Sequence, residues 1–415
     1  MNRSIAPDIK PIQTIHTGFV DAQQNIYRIH SEEGVFKLEI NFPKAGFGFA
    51  DNKFHALYAL DLLMSGTAQK SAHTIADEID LLGGFVFKNC DYYSSSIAIY
   101  GLNENLEAIV SLVKNAMDEC VFDEKELEVF KSKKTSELRI NLNKTSFLAG
   151  RSINHLLLGK QHPFSRSSDE EIIQSIQRKD LLDFKEKNLI NPCFIYTGPT
   201  SYDIKQTLVN IGFELENISP INYQESISEP EETFEIIPKE NSTQNAIRLG
   251  KILPDRKHKD YFVISLTYLI LGGYFGSRLM KNIREDKGLT YGIHSSITPF
   301  RTFSLFKISS ECNNQLTQEV KSEIEKEIIR LQTELVEENE LQTAKNYLIG
   351  ALLRSFDGAF NISERLKTNI DLGGEKDFYE RYFEAINQIS AEDIMNCANN
   401  FFDFKTFKYS IAGEV

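Results

Sequence analysis

The sequence predicts an α+β fold built twice, with two homologous halves that each carry a mainly antiparallel sheet covered by helices on one side. Three observations predict it. First, two segments about half a chain apart, IADEIDLLGGFVF and LMKNIREDKGLTY, pair Ile79 with Ile283 and Gly84 with Gly288, each 204 positions on. Ile75 and Leu279, and Phe87 and Tyr291, keep the same offset. Second, Ile176, Asp180, Leu181 and Leu182 recur 213 positions on as Ile389, Asp393, Ile394 and Met395. Each copy then runs into a strand, CFIYTG ending at Gly198 and FKYSIAG ending at Gly413. Third, strands followed by helices recur in both halves with few tight two-residue hairpins, the pattern of a sheet with a helical layer.

Period-two alternation predicts strands over 93–101 and 302–310, and helical spacing follows each at 105–117 and 315–331. Long charged-and-apolar stretches at 125–158 and 337–356 predict further helices. The uncharged run YFVISLTYLILGGYFGS, 261–277, falls short of the roughly 20 mainly apolar residues a spanning helix needs. It predicts a buried helix ending in the turn at Gly272 and Gly273. Over 217–244 Pro, Ser, Glu and Asn cluster without sustained periodicity. The expected division is therefore a first half over 1–220, a linker over 221–241 with room for a short strand at its end, and a second half over 242–415.

Composition narrows the function. The chain has 415 residues, 41% apolar and 25% charged, as expected of two or three globular domains. Its 46 Lys and Arg against 59 Asp and Glu give a net charge of -13, which repels phosphate backbones and anionic lipid. Nucleic acid and membrane surfaces are not expected partners. The five cysteines, Cys90, Cys120, Cys193, Cys312 and Cys397, lie far apart without a C-x-x-C, so they read as small buried hydrophobes rather than disulfides or zinc thiolates. No apolar signal region opens the chain, and the cytoplasm is the expected compartment, with the periplasm as the alternative.

At 271–296 the residues become specific: LGGYFGSRLMKNIREDKGLTYGIHSS resembles the second-half signature of the pitrilysin/insulinase family of zinc metallopeptidases, a Gly-rich turn, Ser-Arg-Leu, then Arg-Glu-x-x-Gly-Leu-x-Tyr. In the first half SGT at 65–67, LLGG at 81–84 and HPF at 162–164 fall where that family has them. The resemblance is greatest to the short bacterial and mitochondrial-processing-type members, and it implies one chain of two homologous α+β halves and two chains enclosing a chamber.

Active members carry H-x-x-E-H on a first-half helix, where two His four apart share a face and bind zinc while the Glu acts as general base on bound water. Counting back from Gly66 and Thr67 in FHALYALDLLMSGT puts Leu57, Leu60 and Asp61 at the His, Glu and His positions. Leu57 cannot ligate a metal, Leu60 cannot take a proton from water, and a lone Asp61 is not a zinc site. The family's distant Glu ligand corresponds to Glu137 in KTSELRI. No two of the eight His are three or four residues apart, so no helical His pair exists in the sequence. The chain is expected to hold no metal or cofactor and to have no catalytic residue of its own.

The resemblance also implies an Arg and a Tyr seven residues apart that reach across the chamber to the substrate carbonyl, and these positions are Arg284 and Tyr291. A guanidinium fork and a phenol are donors suited to a developing oxyanion. The matching first-half residues, Asp80 and Phe87, show that the repeated fold does not itself demand this pair. The reading that follows is the non-zinc, substrate-binding subunit of a heterodimeric zinc metallopeptidase, partnered by a homologous H-x-x-E-H chain that carries the zinc and by peptide substrate. A homodimeric or complex-bound scaffold without catalysis is the alternative. A third reading, a hydrolase with His55, Asp61 and Glu137 as metal ligands, suffers because His55 and Asp61 sit about 240° apart around a helix. The turn at 271–278 lacks the spacing of a phosphate loop, His162 before Pro163 reads as a turn residue, and no nucleophile elbow is present.

Overall fold

The computed structural model describes residues 18–21, 26–215, 225, 227–228 and 230–414, so the expected linker lies partly outside the described residues. The first half contributes β1 (Gly18–Asp21), β2 (Ile26–His30), β3 (Val35–Pro43), β4 (Phe85–Cys90), β5 (Ser94–Leu102) and β6 (Cys193–Gly198), ordered β1-β2-β6-β3-β5-β4. The second contributes β7 (Phe234–Pro238), β8 (Gln244–Leu253), β9 (Thr290–Pro299), β10 (Ser304–Asn313) and β11 (Lys408–Gly413), ordered β7-β11-β8-β10-β9. The orders superimpose apart from β1, which the first sheet adds at its edge, and in each sheet one pair is parallel, β2 with β6 and β7 with β11, while the others are antiparallel. The halves are duplicates.

First-half helices are α1 (Lys53–Leu62), α2 (Ala72–Leu81), α3 (Leu106–Asp118), α4 (Glu124–Leu142), α5 (Thr145–Leu158), α6 (Glu170–Ser175), α7 (Arg178–Asn188) and α8 (Ile204–Ile211). The second half has α9 (Tyr261–Tyr268), α10 (Thr317–Thr333), α11 (Glu338–Arg354), α12 (Ala359–Asp371), α13 (Phe378–Gln388) and α14 (Ala391–Phe401). The apolar run at 261–277 enters as α9 and continues into a wider, π-helical turn, Leu269–Gly273. Spacing explains the packing: Leu106, Ile109, Val110, Val113 and Met117 line one face of α3 and bury it in the same core as Phe36, Leu38 and Ile40 of β3. Among the described residues no helix is long and apolar enough to cross a membrane. Four of the cysteines are buried and Cys90 is half-buried, all as free thiols.

Two features go beyond the sequence reading. The stretch 125–158 is two helices, because Asp123 caps α4 and the chain breaks at Asn143 and extended Lys144 before α5 starts. That break sends α5 across to the second sheet, where Ala149 meets Ala246 and Ala412. A Cβ on Gly250 would come within 2.7 Å of Leu157 Cδ1, so glycine is what lets α5 approach β8. Reciprocally, α12 of the second half covers the free face of the first sheet, with Ile362, Leu366 and Ile370 against Ile29 and Ile195. Each sheet therefore has its own helical layer on one face and a helix from the other half on the opposite face.

The α12 contact is ionic as well as apolar. Lys37, fully buried on β3, pairs with Glu39 at 2.8 Å and with Glu364, and donates to Ser363 Oγ at 2.8 Å. Lys367 pairs with Asp371 at 3.0 Å and Asp91 at 3.2 Å, and Asp371 also accepts from Asn41 at 3.1 Å and Ser94 at 2.8 Å. Burial pulls the Lys367 pKa down, and the charges of Asp371, Asp91 and Glu39 more than reverse this, leaving it raised. A second seam forms at the β9–β10 turn, where Phe300 and Phe303, stacked at 4.5 Å, lie edge-on to Tyr92 and His162 of the first half.

Candidate functional site

Helix α1 begins where Asn52 caps it, its side chain accepting from the Phe54 N–H at 3.0 Å. Leu60 is 1% exposed and belongs to the first-half core, Leu57 packs half-buried against the same core, and Asp61 is exposed. Glu137, on α4, pairs with Lys134 at 3.2 Å. Asp61 and Glu137 nevertheless share a neighbour, since after burial their charges push up the pKa of the Tyr58 phenol. The fold thus brings the degenerate positions into one neighbourhood, but with hydrocarbon where the ligands and base would stand. His55 turns away toward Asp180 of α7 at 3.8 Å. This donor set does not fit zinc, and among the described residues no group of three His, Cys, Asp or Glu is placed to hold a metal.

A cation beside Asp61 is Lys88 on edge strand β4, missed from sequence. Its ammonium donates to the Asp61 carbonyl oxygen. Burial lowers its pKa, partly opposed by the Asp61 charge. The signal available was a lone charge in the short strand FVFKNC.

Arg284 and Tyr291 occupy two local irregularities that the first half lacks. Where α2 is a regular helix, its counterpart Met280–Asp286 is π-helical and carries Arg284. The turn glycines with positive φ are Gly83 (68°) and Gly288 (62°), so the structural match is one residue off the sequence pairing of Gly84 with Gly288, and the wider turn takes up that residue. Strand β4 pairs with β5 without a shift, whereas β9 bulges between Thr290, opposite Cys312, and Ile293, opposite Ser310. Tyr291 lies in that bulge and is 88% exposed on the edge strand of the second sheet. Thr290 pins the bulge, its hydroxyl donating to the Glu311 carbonyl at 2.6 Å and accepting from the Gly292 N–H at 3.1 Å.

Arg284 is half-buried with its guanidinium 5.1 Å from the centroid of Phe275, an aromatic 64% exposed in the Gly-rich turn. Arg278 of the same motif serves the packing instead, its fork gripping Glu340 of α11 through two bonds of 2.8 Å. Phe275 was also missed from sequence, although an apolar ring within the Gly-rich turn LGGYFGSR was a usable signal.

Comparison with known proteins finds similar chains for this duplicated fold. Residues 175–348 match the family described as Peptidase M16 inactive domain. That match fits the pitrilysin/insulinase resemblance of the sequence. The chain is 21% identical over 373 residues to the uncharacterized zinc protease YmxG of Bacillus subtilis (strain 168), covering 85% of each chain. To the mitochondrial-processing peptidase subunit beta of Saccharomyces cerevisiae it is 25% identical over 369 residues, covering 81% of this chain and 77% of that one. The crystal structure of a peptidase M16 inactive domain from Pseudomonas fluorescens shares the fold, with a TM-score of 0.85 and 22% identity over 94% of this chain and 97% of that one.

Proposed function

We propose that this chain is the non-zinc, substrate-binding subunit of a two-chain metallopeptidase that hydrolyses peptides in a closed chamber, working in the cytoplasm. A homologous chain bearing H-x-x-E-H supplies the metal and the attacking water. This chain supplies Arg284 and Tyr291, which hydrogen-bond the scissile carbonyl and its developing oxyanion from the opposite wall. Halves 1–220 and 242–415 form the two walls it contributes, and the linker 221–241 adds β7 to the second sheet.

The observation that carries the reading is the coincidence of the Arg/Tyr pair with the π-helical turn and the bulge. Regular geometry suffices at both places in the first half. Departures of this kind are retained where a side chain must be aimed. Phe275 beneath the guanidinium supplies an apolar platform that orients it. The test is steady-state kinetics of the chain assembled with its H-x-x-E-H partner. Arg284→Ala lowers kcat/KM by about 10² to 10³, the loss typical of one oxyanion donor. Unchanged kinetics in an intact assembly would leave the scaffold reading in its place.

A further inference from the structure

The turn that carries Arg284 is one residue longer than its first-half counterpart. In the first half the Ile79 carbonyl accepts from the Gly84 N–H at 2.9 Å, five residues on. In the second the Ile283 carbonyl accepts from the Leu289 N–H at 2.9 Å, six residues on. The extra residue therefore lies between Ile283 and Leu289, in the segment of Arg284. A π-helical turn is rare, and something around it has to hold it open.

Asn282 and Lys287 supply that hold. The Asn282 carbonyl accepts the widening bond itself, from the Lys287 N–H at 3.2 Å. The side chains at both ends of this bond reach one carboxylate on α10: the Asn282 amide donates to Glu323 Oε2 at 3.1 Å, and the Lys287 ammonium pairs with the same oxygen. The Asn282 amide also donates to Glu327 Oε1 at 2.7 Å, so its one NH2 group spans two carboxylates four residues apart on a helix face. Glu323 and Glu327 are only 4% and 2% exposed. Hydrogen bonds from Lys287, then Lys326, hold the Glu323 carboxyl down at about 2, and Arg330 pairs with Glu327 at 3.0 Å.

The first half shows what the fold packs at these places by default. With the short turns Asn103–Asn105 and Asn314–Leu316 aligned, Ile109, Val113 and Met117 of α3 fall on Val320, Ile324 and Ile328 of α10, and Leu112 and Ala116 fall on Glu323 and Glu327. Hydrocarbon suffices where the turn is regular. Buried carboxylates with their cations gain little stability over such residues, so their presence is explained by what they hold.

We propose that Asn282 is a positioning residue, clamped by Glu323 and Glu327 so that the wide turn stays open and aims the Arg284 guanidinium across the chamber. Relaxation toward an ordinary i→i+4 turn would rotate Arg284 off Phe275 and out of line with the scissile carbonyl. This rests on the reading of Arg284 as an oxyanion donor.

The clamp is read first on the full chain alone, by hydrogen exchange. Asn282→Leu, which keeps the bulk and loses the donor, speeds exchange of the Lys287 and Leu289 amides by at least about tenfold and leaves the interior of α10 unchanged. The consequence is read on the assembly with its H-x-x-E-H partner, using an internally quenched unfolded peptide. Asn282→Leu lowers kcat by about 10- to 100-fold at nearly constant KM, whereas in an Arg284→Ala background it lowers kcat by less than about twofold more. Unchanged exchange in the folded variant overturns the clamp whatever the kinetics. An unchanged kcat, or an equal fall in both backgrounds, overturns the positioning role, while a harmful Arg284→Ala keeps the peptidase reading. A harmless Arg284→Ala overturns that reading and the positioning role with it. Should Asn282→Leu fail to fold, Asn282→Ala takes its place in each comparison.

Discussion

Replacing Asp371 by Ala tests whether the ionic seam under α12 holds the halves together. The carboxylate accepts from three side chains, Lys367 at 3.0 Å, Asn41 at 3.1 Å and Ser94 at 2.8 Å. Its removal leaves the Lys367 ammonium, on a residue only 5% exposed, with Asp91 as its remaining partner at 3.2 Å. Breaking a buried pair by deleting one member costs about 3 to 5 kcal/mol, and each neutral donor left without an acceptor about 1 kcal/mol more. Neighbouring losses are not additive, so the expected cost is about 4 to 6 kcal/mol. Urea unfolding followed by circular dichroism and tyrosine fluorescence reads it, the chain having no Trp. The companion variant combines Lys367→Met with Asp371→Leu, which removes both charges and restores apolar contact. It recovers to within about 2 kcal/mol of the unaltered chain, because a buried pair contributes little net stability over an apolar replacement. A loss below about 1 kcal/mol in Asp371→Ala, or a double variant no more stable than the single, refutes the argument.

Two further outcomes follow from the structure, beside the Arg284→Ala kinetics. Burial first, then the positive charge of Arg166, holds His162 at about 4 instead of its ordinary 6.5. The folded state therefore binds this proton less readily than the unfolded chain, and the contribution, present above 6.5, is lost as pH falls toward 4, by about 3 kcal/mol in all. His162→Gln removes that slope, so stability-versus-pH curves that stay parallel for the two proteins across this window contradict it. Elemental mass spectrometry of the metal-replete full chain gives well under one zinc per chain; about one tightly held zinc would return attention to His55, Asp61 and Glu137.

The repeat was legible because equivalent elements need equivalent residues: a glycine turn after each helix and an Ile on each buried face leave marks at nearly the same offset. The obstacle to a metal on α1 is chemical, since leucine excludes ligation wherever it stands. The exchanged helices were not legible. Along β3, Lys37, Glu39 and Asn41 alternate with Phe36, Leu38 and Ile40, which is the pattern of a sheet with one wet face, yet every one of these residues is buried. The α12 partners of Lys37 and Asn41 lie more than 300 positions away, and no local pattern announces so distant a pairing. The π-helical turn and the bulge were hidden for the opposite reason: each is a one-residue irregularity, smaller than any periodic signal can resolve.

The exchange of α5 and α12 bears on how such a chain could arise. A single half made alone would lay bare the face that its sister's helix now covers, Ile29 and Ile195 in one case and Ala246 and Ala412 in the other. Two copies of that ancestor could cover each other by trading one helix apiece, the arrangement of a swapped symmetric dimer. Tandem fusion of the gene would then lock the trade into one polypeptide and free the copies to diverge. On that view the second half could acquire its wider turn and bulge while the first kept regular geometry, and cutting the chain at the middle would yield two fragments that fold together rather than apart.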